Sequence, residues 1–233
     1  MADGARSPHH PGGMAGGGRG GMEGQATSEP VVYVVDDDES VCRALARLIR
    51  SVGLPVETFR SARDFLAHEV TDRPACLVLD MLLPGASGLD LQSTLTQAGR
   101  DIPIVFITGH GDVPTSVRAM KGGAVDFLQK PFSDHDLLDC VQRALGHSRQ
   151  RRAERAERGA VQKRFDTLTP REREVLHLVV TGKPNKQIAA SLGIAEKTIK
   201  VHRGRVMEKM QAASLADLVR MAARLTPAHR QAE

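Results

Sequence analysis

Five side chains, far apart along the chain, are of types that could handle a phosphoryl group together: Asp36, Asp37, Asp80, Thr108 and Lys130. Asp80 is the centre of the set. It follows the apolar run at 76–79 and precedes the Pro84–Gly85 turn. A short apolar run bounded by turn signals predicts a strand buried on both faces, as in a parallel sheet. Ending such a run on a carboxylate has a desolvation cost, so the charge needs a partner or a task. Open α/β sheets bind their ligands at the carboxyl ends of their strands. Close carboxylates repel one another unless a cation stands between them. Mg²⁺ suits such a set, because it uses few carboxylates and keeps waters for a phosphate ligand. Lys130 supplies a point charge for a phosphoryl oxygen, and Thr108 a hydroxyl donor. The expected chemistry is phosphoryl transfer onto the Asp80 carboxylate as nucleophile, with the metal and Lys130 offsetting charge on the transferred group.

Each member has a plainer reading. Asp80 could be a turn or cap residue, and the run Asp36–Glu39 an acidic helix start favoured by the dipole. Thr108 could simply close a strand, and Lys130 could reach out to solvent. What favours the chemical reading is that all five fall at the ends of expected strands. Those strands are 31–35, 55–59, 76–79, 102–108 and 125–129. Between them come helices at 40–52, a short one capped by Ser61, one near 87–97, one at 113–121 and one begun by Ser133. Five strands alternating with five helices predict a doubly wound, flavodoxin-like parallel sheet with right-handed crossovers. All five strands would then deliver their ends to one edge.

At 233 residues the chain has room for two domains. Trp is absent and aromatics make up 3% of the chain, so its cores must be built from aliphatic residues. The three cysteines, Cys42, Cys76 and Cys140, show no paired spacing, which points to a reducing cytoplasm and away from a zinc site. No apolar stretch approaches the ~18 residues of a membrane span, and the N-terminus lacks an apolar signal core. Residues 1–29 are Gly-rich and are expected to be a disordered tail. Met22 opens a more ordinary stretch and is the expected true translation start. Residues 31–146 carry 11 Lys/Arg against 16 Asp/Glu, a net of −5, whereas residues 147–233 carry 19 against 9, a net of +10. An acidic unit followed by a basic one implies separate tasks, with nucleic acid the natural partner of the second.

Residues 31–146 resemble a response-regulator receiver domain, in VVDDDE, LVLD with PGASG after it, VFITGHGD and AVDFLQKPF. The resemblance implies that Asp80 is the phosphoacceptor, that Asp36, Asp37 and the backbone carbonyl of Leu82 hold Mg²⁺ with it, and that Thr108 and Phe127 form a switch pair. It also implies that Lys130 binds the phosphate and that the Lys130–Pro131 bond is cis. Read from the residues alone, Phe127 is a core position. Leu82 and Leu83 are more apolar than this family's usual residues. Leu82, with His110, would flank the path of water to the phosphoryl group, so slow self-dephosphorylation is expected.

Residues 147–165 are charged and poor in apolar positions; Ala153, Ala156 and Ala160 give a thin stripe that Gly159 interrupts, and the stretch reads as a helical linker that partly extends the preceding helix. The second unit begins near Asp166. Thr169–Pro170 is a cap with Pro at the first helical position, and further helices are expected at 185–193, 197–210 and 214–225. A short helix, a turn at Gly193 and a basic helix make a helix-turn-helix candidate, whose second helix would lie in the major groove. LTPREREVL, followed by NKQIAASLGIAEKTIKVHRGRVMEKM, resembles the LuxR-type helix-turn-helix. Lys197, Thr198, Lys200, Val201 and Arg203 are the expected DNA contacts, and Gly204 falls where some members have a base-reading Lys.

The whole chain therefore resembles a FixJ/NarL-class two-component regulator, nearer the FixJ branch. The expected division is a tail at 1–29, a receiver at 30–146, a linker at 147–165, a four-helix DNA-binding domain at 166–227 and a tail at 228–233. The expected partners are a sensor histidine kinase, double-stranded DNA, a second copy on phosphorylation and RNA polymerase, in the cytoplasm and away from membranes. A phosphatase with an Asp nucleophile is disfavoured, because it would need a second acid where Leu82 stands. TGHGD lacks the Lys of a nucleotide-binding loop, and the intact Asp/Thr/Lys set argues against a degenerate receiver.

Overall fold

The structure is a computed structural model and describes residues 29–109 and 113–225. The expectations placed on the N-terminal tail, Met22, His110 and the last eight residues lie outside the described residues. Five strands form one parallel sheet: β1 (Val31–Val35), β2 (Val56–Phe59), β3 (Ala75–Asp80), β6 (Ile104–Thr108) and β7 (Asp126–Gln129), in the spatial order β2-β1-β3-β6-β7. The turn after Asp80 adds a two-residue antiparallel pair that the sequence did not suggest, β4 (Leu82–Leu83) with β5 (Ala86–Ser87). Val125 and residues 102–103 fall outside the strands they were assigned to. Residue 103 is a proline, which donates no hydrogen bond to a ladder.

The central strands are buried along their whole length. Their side chains point alternately to two apolar layers. One layer packs Val32, Val34, Cys76, Val78, Val105 and Ile107 against α1 (Glu39–Ser51) and α5 (Asp134–Asp166). The other packs Tyr33, Leu77, Leu79 and Phe106 against α2 (Ala62–Ala67), α3 (Gly88–Gln97) and α4 (Val113–Lys121). All three cysteines are free and buried in the first layer.

Helix starts follow side-chain chemistry. Ser87, Ser133 and Thr169 each accept a hydrogen bond from the amide three residues on, and the carboxylates of Asp90, Asp136 and Glu172 accept one from the cap's own amide. The linker stretch is helical as expected, but it extends the preceding helix fully rather than in part. α5 runs 33 residues without a break through both Gly146 and Gly159, and its far end contributes Val161 to the core of the second unit. Beyond it, α6 (Pro170–Val180), α7 (Asn185–Leu192), α8 (Glu196–Met210) and α9 (Leu215–Leu225) enclose Val175, Ile188, Ile199, Val206, Met210 and Leu218.

Candidate functional site: an acidic pocket and a basic helix

The sheet order brings the ends of β1, β3, β6 and β7 to one edge. Lys130, one residue past β7, reaches across that edge. Its Nζ donates to Asp36 Oδ2 at 2.9 Å and to Asp80 Oδ1 at 3.1 Å. The Asp36 and Asp80 side chains are 3% and 10% exposed, so the pocket holds two buried carboxylates against one ammonium. The second oxygen of Asp80 accepts from the Leu82 amide at 3.0 Å, and Asp36 Oδ1 accepts from the Asp38 amide at 2.9 Å. Burial raises the Asp80 pKa; Lys130 opposes that shift and Asp36 adds to it. Burial pulls the Lys130 pKa down, but its bonds to Asp36 and Asp80 outweigh this and leave it raised.

Thr108 is buried at the end of β6, and its carbonyl accepts the Lys130 amide at 2.7 Å, which ties the two strand ends together. The Lys130–Pro131 bond is cis. Phe127 is partly buried against the second apolar layer. The turn after Asp80 folds back, with the Gly88 amide donating to the Met81 carbonyl at 2.9 Å. A Cβ on Gly88 would stand 2.6 Å from the Asp80 carbonyl oxygen, so this close approach requires glycine.

The four consecutive acids at 36–39 separate into four roles. Asp36 enters the pocket, and Asp37 lies exposed at its rim. Asp38 caps α1 through the amides of Ser40 and Val41, and its bonds with Ser40 hold its pKa down. Glu39 pairs with Arg43 at 2.7 Å. Two further residues, not singled out in the sequence, steady this turn. Arg60, just past β2, donates to the Asp37 carbonyl at 3.1 Å, and the Cys42 thiol donates to the Asp36 carbonyl at 3.3 Å. Arg60 was findable, since it too follows a strand end. Cys42 carried no signal, because a buried Cys on a helix reads as core.

Among the described residues no group of three or more His, Cys, Asp or Glu forms a ready-made metal cage. Mg²⁺ needs no such cage: it binds through a few carboxylates and completes its shell with waters and phosphate. Asp36 and Asp80 fit that requirement, as a buried pair with excess negative charge.

In the second unit, Gly193 adopts φ +65° and the Ile194 amide bonds back to the Ala189 carbonyl at 3.1 Å, a left-handed cap that turns α7 into α8. Ile199, Val206 and Met210 seat α8 in the core. Lys197, Thr198, Lys200 and Val201 lie on its exposed side. Arg203 is half-buried and donates to Asn185 Oδ1 at 3.1 Å, so it also links the two helices.

A doubly wound receiver sheet joined to a basic helix-turn-helix unit defines a response regulator with an output domain. Comparison with known proteins agrees. Residues 32–142 match the response regulator receiver domain, and residues 166–222 match the bacterial regulatory proteins of the LuxR family. Nodulation protein W of Bradyrhizobium diazoefficiens is 54% identical over 204 residues, 88% of this chain and 89% of that protein. Transcriptional regulatory protein FixJ of Rhizobium meliloti is 44% identical over 191 residues, covering 82% and 94%. The solved response regulator StyR superimposes with a TM-score of 0.74 at 49% identity, over 84% of this chain and all of that one. Full-length FixJ from B. japonicum gives 0.52 at 39% identity, covering 83% and 96%. The chain belongs to the FixJ-like two-component response regulators, transcription factors that couple a receiver to a LuxR-type DNA-binding domain. Among the described residues no helix is long and apolar enough to cross a membrane.

Proposed function

We propose that Asp80 accepts a phosphoryl group from a sensor histidine kinase, and that this promotes dimerisation and binding to double-stranded DNA in the cytoplasm. The observation that carries this reading is the convergence of Asp80, Asp36 and Lys130 from three strand ends. One Asp80 oxygen is held by the Leu82 amide, which orients the carboxylate for in-line attack. Mg²⁺ would be held by Asp36, Asp37, Asp80 and the Leu82 carbonyl; when bound, it neutralises charge on the phosphoryl oxygens. Once Asp80 is phosphorylated, as an acyl phosphate, its carboxyl oxygens carry less charge for Lys130, and the ammonium turns to the phosphoryl group. Thr108 then moves to donate to a phosphoryl oxygen and Phe127 follows, shifting a two-state receiver.

An apolar groove of about 540 Å³, lined by Val41, Leu45, Leu48 and Phe132, opens beside Lys130. It would seat the kinase next to its target. On α4, Val117 and Met120 are exposed, which favours the face of α4 and α5 for the second copy. Lys197, Lys200 and Arg203 would contact phosphates or base edges, and Thr198 and Val201 would meet bases in the major groove. RNA polymerase is the expected downstream partner. The boundaries proposed for the units are 30–146 and 166–227.

The test is incubation with acetyl phosphate and Mg²⁺, followed by intact-mass and DNA-binding measurements. One phosphoryl group per chain is expected, lost in Asp80→Ala, with tighter DNA binding by the phosphorylated protein. A phosphoryl group still incorporated by Asp80→Ala, or DNA affinity indifferent to phosphorylation, overturns the reading.

A further inference from the structure

α5 crosses the whole sheet. Its cap, Ser133, lies near the edge that carries Asp80, and fifteen residues on, about 22 Å at 1.5 Å per residue, Ser148 reaches the opposite edge. There the buried Ser148 Oγ accepts the amide of Ala75, the first residue of β3, at 3.0 Å. From 149 to 160 the helix buries no apolar side chain; every residue is exposed except the half-buried Arg152. Helical stretches of that length are marginal in water without packing. Charged contacts hold it instead. Arg152 pairs with the Asp72 carboxylate and donates to the Asp72 carbonyl at 2.9 Å. Arg151 pairs with Asp101, and Arg155 lies 3.5 Å from the same carboxylate. Asp72 and Asp101 lie in the loops leading into β3 and β6, at the sheet edge away from Asp80. Just beyond the last of these contacts the helix is held by the other unit, through Glu157 to Arg224 at 2.5 Å and then Val161.

We propose that Arg151, Arg152 and Arg155 with Asp72 and Asp101 form an ionic clasp that fastens the α5 extension to the receiver. The joint between the two units is thereby confined to residues 156–160, around Gly159. The clasp sets how freely the DNA-binding unit moves. Closed, it holds α5 as one helix from the cap near Lys130 to residue 155 and leaves only the short joint before the second core. Open, it frees residues 149–160 to fray and lets the two units reorient. Because Asp72 is 95% exposed and the other members are partly so, the clasp weakens with salt, while the Ser148 bond keeps the earlier part of α5 in place.

The test uses the full-length protein and a Glu-specific protease, whose sites in the stretch are Glu154 and Glu157. At low salt, Asp72→Asn with Asp101→Asn should be cut there about tenfold faster than wild type, in proportion to the opened fraction. Wild type should approach the variant's rate as salt rises to about 0.5 M. A charge swap, Asp72→Arg with Arg152→Asp, should regain protection that Asp72→Arg alone loses. Emission from Tyr33, the sole Tyr in a chain without Trp, confirms that the receiver core is intact in each variant. Equal cutting of wild type and the neutralised variant at low salt overturns the proposal, as does a swap no better protected than Asp72→Arg alone. None of these readouts requires phosphorylation or DNA, so failure here is separate from failure of the proposed function.

Discussion

Replacing Lys130 with Met leaves two buried carboxylates facing one another. Both now bond the same Nζ, at 2.9 and 3.1 Å, so their oxygens lie no more than about 6 Å apart. At an effective dielectric constant of about 20, their repulsion at that distance is about 3 kcal/mol, unrelieved once the cation is gone. Removing one partner of a buried ion pair generally costs about 3–5 kcal/mol. Lys130 is 28% exposed, so some water screening persists and the lower end applies. The expected loss of receiver stability in Lys130→Met is about 3 kcal/mol at pH 7 without metal. Urea unfolding followed by Tyr33 emission reads it, since Tyr33 lies in the receiver core. Adding Asp80→Asn should recover most of the loss.

The sign of the pH dependence follows from Asp80. A carboxylate with a raised folded pKa binds its proton more tightly when folded, so its penalty is full above that pKa and fades on acidification toward 3.8, the ordinary value. The deficit of Lys130→Met should therefore shrink as pH falls from 7. A loss under about 1 kcal/mol at pH 7, a deficit that does not change with pH, or no recovery from Asp80→Asn would refute the pocket electrostatics described above.

Millimolar Mg²⁺ should stabilise Lys130→Met more than wild type, because binding to the folded state adds stability and the variant's pocket has lost its competing cation; thermal unfolding with Mg²⁺ or EDTA checks this. Glu172→Gln should cost the second unit about 2 kcal/mol, since the buried Glu172 bonds Lys209 at 2.7 Å and caps α6. Lys209 chiefly, with the Thr169 amide, holds the Glu172 pKa below 4.5, so this contribution is present above 4.5 and is lost as pH falls through the lowered value. Circular dichroism in acid should show the difference between wild type and Glu172→Gln closing. Gly88→Ala should destabilise the receiver by about 1–3 kcal/mol, because the new methyl group meets the Asp80 carbonyl; Tyr33 emission in urea checks it. Leu82→Asn should shorten the life of the phosphorylated protein, followed by intact mass, because Leu82 is 61% exposed beside Asp80 and its polar replacement can guide water there.

Alternation of strands and helices was enough to place Asp36, Asp80 and Lys130 together. Parallel connections oblige successive strands to end on one edge, and buried strands oblige their apolar runs to be continuous. The same logic reached the helix-turn-helix, where Gly193 and the spacing of Ile199, Val206 and Met210 determine the turn and the buried face of α8. Side-chain direction within a turn is another matter. Four adjacent acids at 36–39 look alike along the chain, yet only Asp36 enters the pocket, because the phase of β1 and the start of α1 aim each one differently. Arg60 and Cys42, which hold that turn, come from β2 and α1 and meet it only in space.

The stretch at 149–160 makes the same point on a larger scale. Its composition, with only a thin alanine stripe and a glycine at 159, reads as a linker, because sequence periodicity registers helices that bury a face. Here the helix is continuous for another reason: Asp72 and Asp101, some fifty to eighty residues earlier, present carboxylates to its arginines. Residue types and local periodicity thus determined the strands, the caps, the edge that gathers the acidic pocket and the basic helix. The division of labour among neighbouring acids and the path of α5 were decided by tertiary structure, because both depend on charges brought close only when the sheet is assembled.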